Sequence, residues 1–260
     1  MASASLATLR SKIEFDLRAR VPAPFTYRDR NVFELVSTGV PEMDASVGGL
    51  PRGAMTEICG SPGSGRTSLL LSALAARTAD GEVCALVDAQ DSFDPLTAQA
   101  AGVALKQLLW VRCHDVDQAL RSTDLLIQGG GFGLVAVDLS DAPARIVRQV
   151  PLNAWFRFRR AVEDTPTILL ILEQEPHAKT CASLVLRLTA QAPRWSQTNL
   201  AHPGNSINAP FARLLQGFPI RFDVARSRVQ LPSAPVIDIR EKKNSEAADI
   251  FHTGVIWSVS

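Results

Sequence analysis

A glycine-rich turn between two apolar segments constrains the fold of this chain more than any other feature. The turn reads Gly60-Ser-Pro-Gly-Ser-Gly65-Arg66-Thr67, and the pattern around it predicts a strand before it, Met55–Cys59, and a helix after it, Thr67–Ala79. Glycines let successive backbone N–H groups point into the turn, and the helix N-terminus adds its partial positive charge. A strand, such a turn and a helix in this order predict a phosphate-binding loop.

The predicted nucleotide site combines this loop with side chains later in the chain. Thr67 is placed to hold Mg²⁺, and Asp138, which ends the apolar segment Leu134–Asp138, is the second candidate ligand for that ion. The basic position of the loop holds Arg66, where the motif calls for lysine. A forked guanidinium can pair with phosphate oxygens but is less suited than a compact ammonium to stabilise a transition state. The candidate cofactor-binding residues are Gly60, Ser61, Pro62, Gly63, Ser64, Gly65, Arg66, Thr67, Ser68, Asp138 and Gln174.

Predicted strands and helices alternate from residue 55 to residue 189. The further strands are Glu82–Ala89, Leu108–Cys113, Leu134–Asp138, Thr167–Glu173 and Leu184–Thr189. One helix begins after Asp115, with Gln118 as its capping partner, and ends near Gln128 before three glycines; another covers Leu152–Asp164. This order predicts an α/β fold with a mostly parallel central sheet and helices on both faces.

Both ends of the chain differ from this pattern. Residues 5–20 carry apolar side chains at helical spacing, which predicts an N-terminal amphipathic helix. Its apolar stripe can pack on the chain's own core or on a neighbouring subunit, which would make a homo-oligomer. We expect residues 1–24 to form the helix and a linker, residues 25–232 to form the core, and residues 233–260 to form a tail.

The C-terminal part of the chain is less regular in sequence. Gln191–Gly217 has three prolines and no acidic residue and is expected to be irregular. The segments Ile220–Val224, Arg228–Leu231 and Val236–Ile239 are predicted short strands. Residues 249–260 are apolar after a charged segment. They either return to the domain as a strand or dock on a partner.

Composition excludes several classes of protein. The net charge is +1, so any nucleic-acid-binding surface must be a local patch. Cys59, Cys84, Cys113 and Cys181 form no metal-ligand spacing and are expected to be buried thiols in a reducing compartment. No stretch approaches the roughly 20 apolar residues of a membrane span. We therefore expect a cytoplasmic protein without a membrane partner.

A run of arginines interleaved with aromatic residues is the candidate surface for single-stranded DNA. Arginines can bind phosphates, and an exposed aromatic ring can stack on a base. Alternatively, the aromatics face the core, because Trp155, Phe158 and Val162 fall at helical spacing. The candidate DNA-contacting residues are Arg145, Arg148, Arg157, Arg159 and Arg160.

Several segments resemble the core of bacterial RecA proteins. Ser37-Thr-Gly39, Asp44, Gly48-Gly-Leu-Pro-Arg-Gly53 and Glu57-Ile-Cys-Gly60 resemble the entry to that core. The segment from Cys84 to Pro95 resembles its second strand and the following loop. The resemblance covers about residues 35–190 and implies a RecA-like fold that binds ATP and Mg²⁺.

The departures from that family matter for function. The resemblance implies that the acidic residue activating the attacking water follows the second strand, and Gln90 stands at that position. An amide can orient water but cannot take its proton, so we assign no catalytic residue. Gln174 matches the glutamine that senses the γ-phosphate. The DNA-binding loops of the family are reduced, since only Glu175–Thr180 separates Gln174 from the next strand region.

Among RecA-like chains, this one resembles the ImuA-type proteins of the bacterial mutasome. The shared segments are Arg112-Cys113, Gly131-Phe132-Gly133 and Trp155-Phe156-Arg157-Phe158-Arg159-Arg160. The resemblance implies an accessory role in SOS-induced translesion DNA synthesis, with an ImuB-type Y-family polymerase homologue, an error-prone polymerase and RecA as candidate partners. The alternatives are an active DNA-dependent ATPase of recombinase type and a RecA-derived inhibitor of cell division.

Overall fold

A computed structural model describes residues 33–195, 215–229 and 250–253, which all belong to one compact unit. The predicted N-terminal helix at residues 5–20, the predicted strand Val236–Ile239 and most of the tail lie outside the described residues. No helix within the described ranges is long and apolar enough to cross a membrane.

A twisted sheet of predominantly parallel strands organises the described residues. Its hydrogen-bonded order is β5-β4-β6-β7-β3-β8-β10-β11, and β9 pairs with β10 beside this path. A separate two-stranded ribbon joins β1 to β2. The strands are β1 Leu35–Val36, β2 Leu50–Pro51, β3 Ala54–Gly60, β4 Cys84–Asp88, β5 Leu108–Arg112, β6 Leu134–Asp138, β7 Ile168–Glu173, β8 Leu184–Ala190, β9 Arg194–Trp195, β10 Leu215–Ser227 and β11 Ile250–Thr253.

Within the sheet, β5, β4, β6, β7, β3 and β8 run parallel to one another. Strand β10 pairs antiparallel with both β8 and β11. Parallel strands require crossover connections, and the described helices supply most of them. The helices are α1 Pro41–Val47, α2 Arg66–Ala79, α3 Pro95–Ala100, α4 Val116–Gly129, α5 Ala144–Val147 and α6 Leu152–Val162. The predicted α/β class with a mostly parallel sheet is confirmed.

Local sequence signals set several helix ends. Asp115 accepts a hydrogen bond from Gln118 N at 2.7 Å, and the Gln118 side chain accepts one from His114 N at 3.1 Å. This reciprocal pair is the predicted cap of α4. Asp94 caps α3 because its side chain accepts hydrogen bonds from the backbone N–H groups of Leu96 and Thr97.

The core lies on both faces of the sheet. One cluster, between the sheet and α2, contains Ile58 and Leu86; the other, between the sheet and helices α4 and α6, contains Met55 and Val87. Because neighbouring side chains on a strand point to opposite faces, a strand covered on both sides must be apolar throughout. The four cysteines are free and buried, as predicted.

The structure corrects the predictions for the C-terminal region. The predicted short strand Ile220–Val224 is part of the longer β10, which begins within the segment expected to be irregular. Arg228 and Val229 lie beyond that strand, so the described part of the predicted strand Arg228–Leu231 is not a strand. Residues 250–253 form β11 by pairing with Phe218–Arg221, so these residues of the tail return to the sheet. The pairing is long-range, which local patterns do not encode.

Helix α6 decides the question about the aromatic residues. Trp155, Phe158 and Val162 are buried, and the rings of Trp155 and Phe158 pack edge to face with centroids 6.1 Å apart. Phe156 remains 45% exposed. Core packing therefore accounts for two of the three aromatic side chains in this segment.

We predict that Phe158→Ala lowers the free energy of unfolding by about 3–5 kcal/mol, because it removes a fully buried ring from a packed core. Phe156→Ala, two residues earlier on the same helix, is the control and should cost less than about 1 kcal/mol. Urea unfolding measures both. Equal losses for the two variants would contradict this description of the core.

Candidate functional site

The carboxyl ends of four parallel strands bring the predicted site residues to one edge of the sheet. The turn after β3 is the predicted phosphate loop, Gln174 follows β7, Asp138 ends β6 and Gln90 follows β4. Because β7 lies between β3 and β6, Gln174 stands between the loop and Asp138 in strand order. Ligands of open α/β sheets bind outside these strand ends.

The loop has the backbone conformation of an anion cradle. Gly63 and Gly65 have φ values of 77° and 93°, which glycine adopts without strain. Ser64 N donates to Ser61 O at 3.1 Å, which closes the turn, and Leu69 N donates to Gly65 O at 3.0 Å at the start of α2. Ser61, Pro62 and Gly63 are exposed, whereas Ser64 is buried and Ser68 is half-buried.

Arg66 is the most unusual group in the loop. Its side chain is buried, with the residue 6% exposed, and its Nη1 atom has no hydrogen-bond partner within the described residues. Burial lowers the pKa of Arg66, while the carboxylates of Asp138 and Asp141 oppose that shift. The Ser64 hydroxyl is also buried without a partner there. Buried donors of this kind fit an anion such as a phosphate group.

The two predicted Mg²⁺ ligands differ in their surroundings. Thr67 is exposed at the start of α2. Asp138 accepts a hydrogen bond from Ser140 N at 2.9 Å, and burial raises its pKa. A carboxylate and a hydroxyl are oxygen donors of the kind Mg²⁺ takes when phosphates and water complete its shell. The residues present therefore fit an ion held together with a nucleotide, and Thr67 and Asp138 would hold it.

The position of the family's water-activating acid holds no carboxylate. Gln90 is exposed, and its Nε2 atom donates to Ala89 O at 2.9 Å. The next residue, Asp91, has a φ of 56° and pairs with Arg112, whose Nε atom lies 2.6 Å from Asp91 Oδ1. The guanidinium of Arg112 also packs over the Trp110 ring at 5.0 Å. Sequence analysis missed the pair formed by Asp91 and Arg112. This pair engages Asp91, the acidic residue nearest to Gln90 in the sequence.

Gln174 links the ends of two neighbouring strands. Its side-chain amide donates to Ser140 O at 3.0 Å, just beyond the end of β6. Beside it lies a cavity of about 440 Å³, lined by parts of the phosphate loop, the segment after β7 and β8. The lining residues are Gly60, Ser61, Gln174, Glu175, Pro176, Arg187, Leu188 and Thr189.

The acidic neighbours of Gln174 are both engaged elsewhere. Glu173 is 1% exposed, and its Oε2 atom lies 2.7 Å from His177 Nδ1. Glu175 is exposed and forms an ion pair with Arg148 at 2.8 Å. Burial raises the pKa of Glu173 to about 7, so this carboxyl ionises less readily than an exposed glutamate does.

The five candidate DNA-contacting arginines do not share one environment. Arg148 pairs with Glu175, and Arg157 pairs with Asp124 of α4 at 2.9 Å. Arg145 and Arg160 are exposed and form no ion pair within the described ranges, and Arg159 is half-buried. Sequence spacing grouped all five, but only Arg145 and Arg160 are exposed without a charged partner in this part of the chain.

Comparison with known proteins agrees with this geometry. Residues 24–149 match the RecA N-terminal domain family. This protein has a RecA-like fold. Protein RecA of Psychrobacter cryohalolentis is 38% identical over 107 residues, which cover 40% of this chain and 30% of that relative. Both findings are similarities to RecA proteins over part of the chain, which spans about a third of the length of that relative.

We predict that Gly65→Ala impairs the RecA-like phosphate loop more than Gly63→Ala does. Both glycines have positive φ, but an added Cβ at Gly65 would overlap the Cδ1 atom of the buried Ile220, whereas one at Gly63 meets nothing within 4 Å. Gly65→Ala should therefore cost about 1–3 kcal/mol more in the free energy of unfolding, measured by urea denaturation. Equal costs would show that Ile220 does not pack against the loop.

Proposed function

We propose that this protein is a RecA-like accessory protein of SOS-induced mutagenic translesion DNA synthesis, with a nucleotide site that binds phosphates but hydrolyses ATP weakly or not at all. The observation that carries the proposal is a predicted phosphate loop whose buried donors have no acceptor among the described residues, beside a position where glutamine stands in place of the acid. Phosphate binding and ATP hydrolysis need different groups. The glycine loop that would bind phosphates is present, whereas Gln90 and Arg66 stand where hydrolysis calls for an acid and a lysine.

Phosphate binding is supported by the loop itself. Backbone N–H groups at the start of α2, the Ser64 hydroxyl and the Arg66 guanidinium offer donors to an anion. When bound, Mg²⁺ would neutralise charge on the β- and γ-phosphates, and Thr67 and Asp138 would hold it. Gln174 lines the cavity together with Gly60 and Ser61 of the loop and would contact the γ-phosphate.

Weak hydrolysis is supported by two substitutions. Gln90 can orient a water molecule but cannot accept its proton, and general-base catalysis typically contributes about 10²–10⁴-fold to a rate. Arg66 is bulkier than lysine and is held by burial, so its charge is not placed as a compact ammonium would be. Both changes act on the transition state more than on the bound nucleotide.

The accessory role rests on the resemblance to ImuA-type proteins. Its partners would be an ImuB-type Y-family polymerase homologue and an error-prone polymerase, and RecA is a further candidate. Single-stranded DNA would contact the exposed side chains of Arg145 and Arg160, with Phe156 available for stacking on a base. A nucleotide would then act as a structural ligand or a slow switch.

We predict that purified wild-type protein turns over ATP no faster than the Asp138→Ala variant, with or without single-stranded DNA. The double variant Arg66→Lys/Gln90→Glu should raise turnover about tenfold or more, because it restores the ammonium and the base. Release of inorganic phosphate measures all three proteins.

Turnover that DNA stimulates and Asp138→Ala abolishes would contradict the proposal and favour an active DNA-dependent ATPase of recombinase type. If wild-type turnover stays at the control level, co-elution with an ImuB-type polymerase homologue tests the accessory role. Failure to co-elute at micromolar concentrations would contradict that role.

A further inference from the structure

Two buried glutamates lie side by side in the centre of the sheet. Glu57 on β3 and Glu173 on β7 are 0% and 1% exposed, and their strands are adjacent and parallel. Cys59, two residues after Glu57 on the same face of β3, is the register partner of Glu173. Glu57 and Glu173 therefore lie on the same face of adjacent strands, offset by two residues. Neither participates in the phosphate chemistry described above.

Burial and mutual repulsion favour a protonated form of this pair. Glu57 Oε2 and Glu173 Oε1 are buried and have no hydrogen-bond partner within the described residues. Two ionised carboxylates on one face of adjacent buried strands would repel each other strongly. Burial, reinforced by the neighbouring Glu173, raises the pKa of Glu57 to about 8, and burial raises that of Glu173 to about 7. The pair therefore retains at neutral pH a proton that an exposed glutamate would have lost.

The pair holds the chain segment that follows Gln174. Glu57 Oε1 accepts backbone hydrogen bonds from His177 at 2.9 Å and from Ala178 at 2.6 Å. Glu173 Oε2 contacts His177 Nδ1 at 2.7 Å. Three contacts thus tie residues 177–178 to β3 and β7. Gln174, Glu175 and Pro176, which precede the tied residues, line the cavity beside the phosphate loop.

Other charged and titratable groups surround the pair on several elements. Burial raises the pKa of the Cys59 thiol, so this group stays neutral, and burial lowers the pKa of His177. Loss of a proton from the pair would add a negative charge that the neutral Cys59 thiol does not neutralise. The groups that interact electrostatically with the pair or with its immediate neighbours are Cys59 on β3, Cys181 after β7, Arg187 on β8, Arg66 on α2, Arg159 on α6, Arg228 after β10, and His177, Glu175 and Arg148 around the segment.

We infer that Glu57 and Glu173 are positioning residues, whose shared proton fixes the segment 174–178 against β3 and so holds Gln174 at the phosphate site. When the proton leaves, repulsion between the carboxylates loosens the grip of Glu57 on the N–H groups of His177 and Ala178. The added charge also disfavours an anion in the adjacent cavity. Both effects weaken phosphate binding as pH rises. The inference rests on the proposed function, because it requires the loop to bind a nucleotide.

The test compares wild type with Glu173→Gln, which keeps a hydrogen-bonding group beside Glu57 but cannot ionise. The probe is a fluorescent, non-hydrolysable ATP analogue, titrated from about pH 6 to about pH 9. Taking the ratio of the two dissociation constants at each pH cancels the ionisation of the analogue itself. Glu42→Gln, at an exposed glutamate of α1, is the matched control.

We expect the affinity of wild type for the analogue to fall about three- to tenfold relative to Glu173→Gln across this range. By linkage, each unit by which bound analogue shifts the pKa of the pair changes the affinity about tenfold. Glu42→Gln should follow wild type. A ratio that stays constant with pH would overturn the inference, since a merely structural role for Glu173 would change affinity by the same factor at every pH.

A second measurement keeps this test separate from the proposed function. Carbon-13 NMR of the glutamate carboxyl groups follows the proton directly, and the amide signals of His177 and Ala178 follow the segment. If the analogue does not bind at any pH, the proposed function fails. Carboxyl and amide signals that shift together above neutral pH would still support the positioning role. Two carboxyls ionised together near their ordinary pKa would overturn it.

The pH dependence of the free energy of unfolding tests the direction of the pKa shift of the pair independently. The folded pair keeps protons that unfolded glutamates release near their ordinary pKa, so the folded state binds more protons between that value and the raised pKa. Stability should therefore fall as pH rises through this window and level off above about pH 8. Glu173→Gln should make this fall smaller.

Discussion

The hydrogen bonding of β7 between β3 and β6 is the constraint on which the site depends. It places the end of β7 beside the phosphate loop on one side and beside Asp138 on the other. Backbone bonds also join the ends of neighbouring strands, such as the one from Leu139 N to Leu172 O at 2.9 Å. Because the strands are buried on both faces, a shift of register would carry polar ends into the core. The edge therefore presents its side chains in a fixed order.

In the proposed function, this arrangement separates holding a nucleotide from cleaving it. The parts that would hold phosphates are mostly the backbone of the loop and of the start of α2, which tolerate changes of side chain. The parts that accelerate hydrolysis are single side chains, and Gln90 and Arg66 are the two that have changed. A fold can therefore retain a ligand that stabilises it after the chemistry has been lost, since bound ligand favours the folded state by mass action.

The sequence predicted most of the fold and part of the site. The glycine turn, the apolar strands and the Asp115–Gln118 cap are local patterns, and the structure contains all of them. The return of residues 250–253 to β10 remained undecided, because strand pairing across many residues leaves no local pattern. The pair formed by Glu57 and Glu173 was missed for the same reason, since the two residues meet only through the β3–β7 register. Two acidic residues within otherwise apolar strands were the only available signal.

Isothermal titration calorimetry of a slowly hydrolysed ATP analogue tests the central claim most directly. The claim is that the loop still binds phosphates through Arg66 although hydrolysis has been lost. Wild type should bind one analogue per chain, and Arg66→Ala should weaken the affinity about tenfold or more, because it removes a buried cation from the anion. Arg160→Ala, which removes an exposed arginine, should bind as wild type does. The absence of saturable binding by wild type, or equal affinities for wild type and Arg66→Ala, would contradict the account.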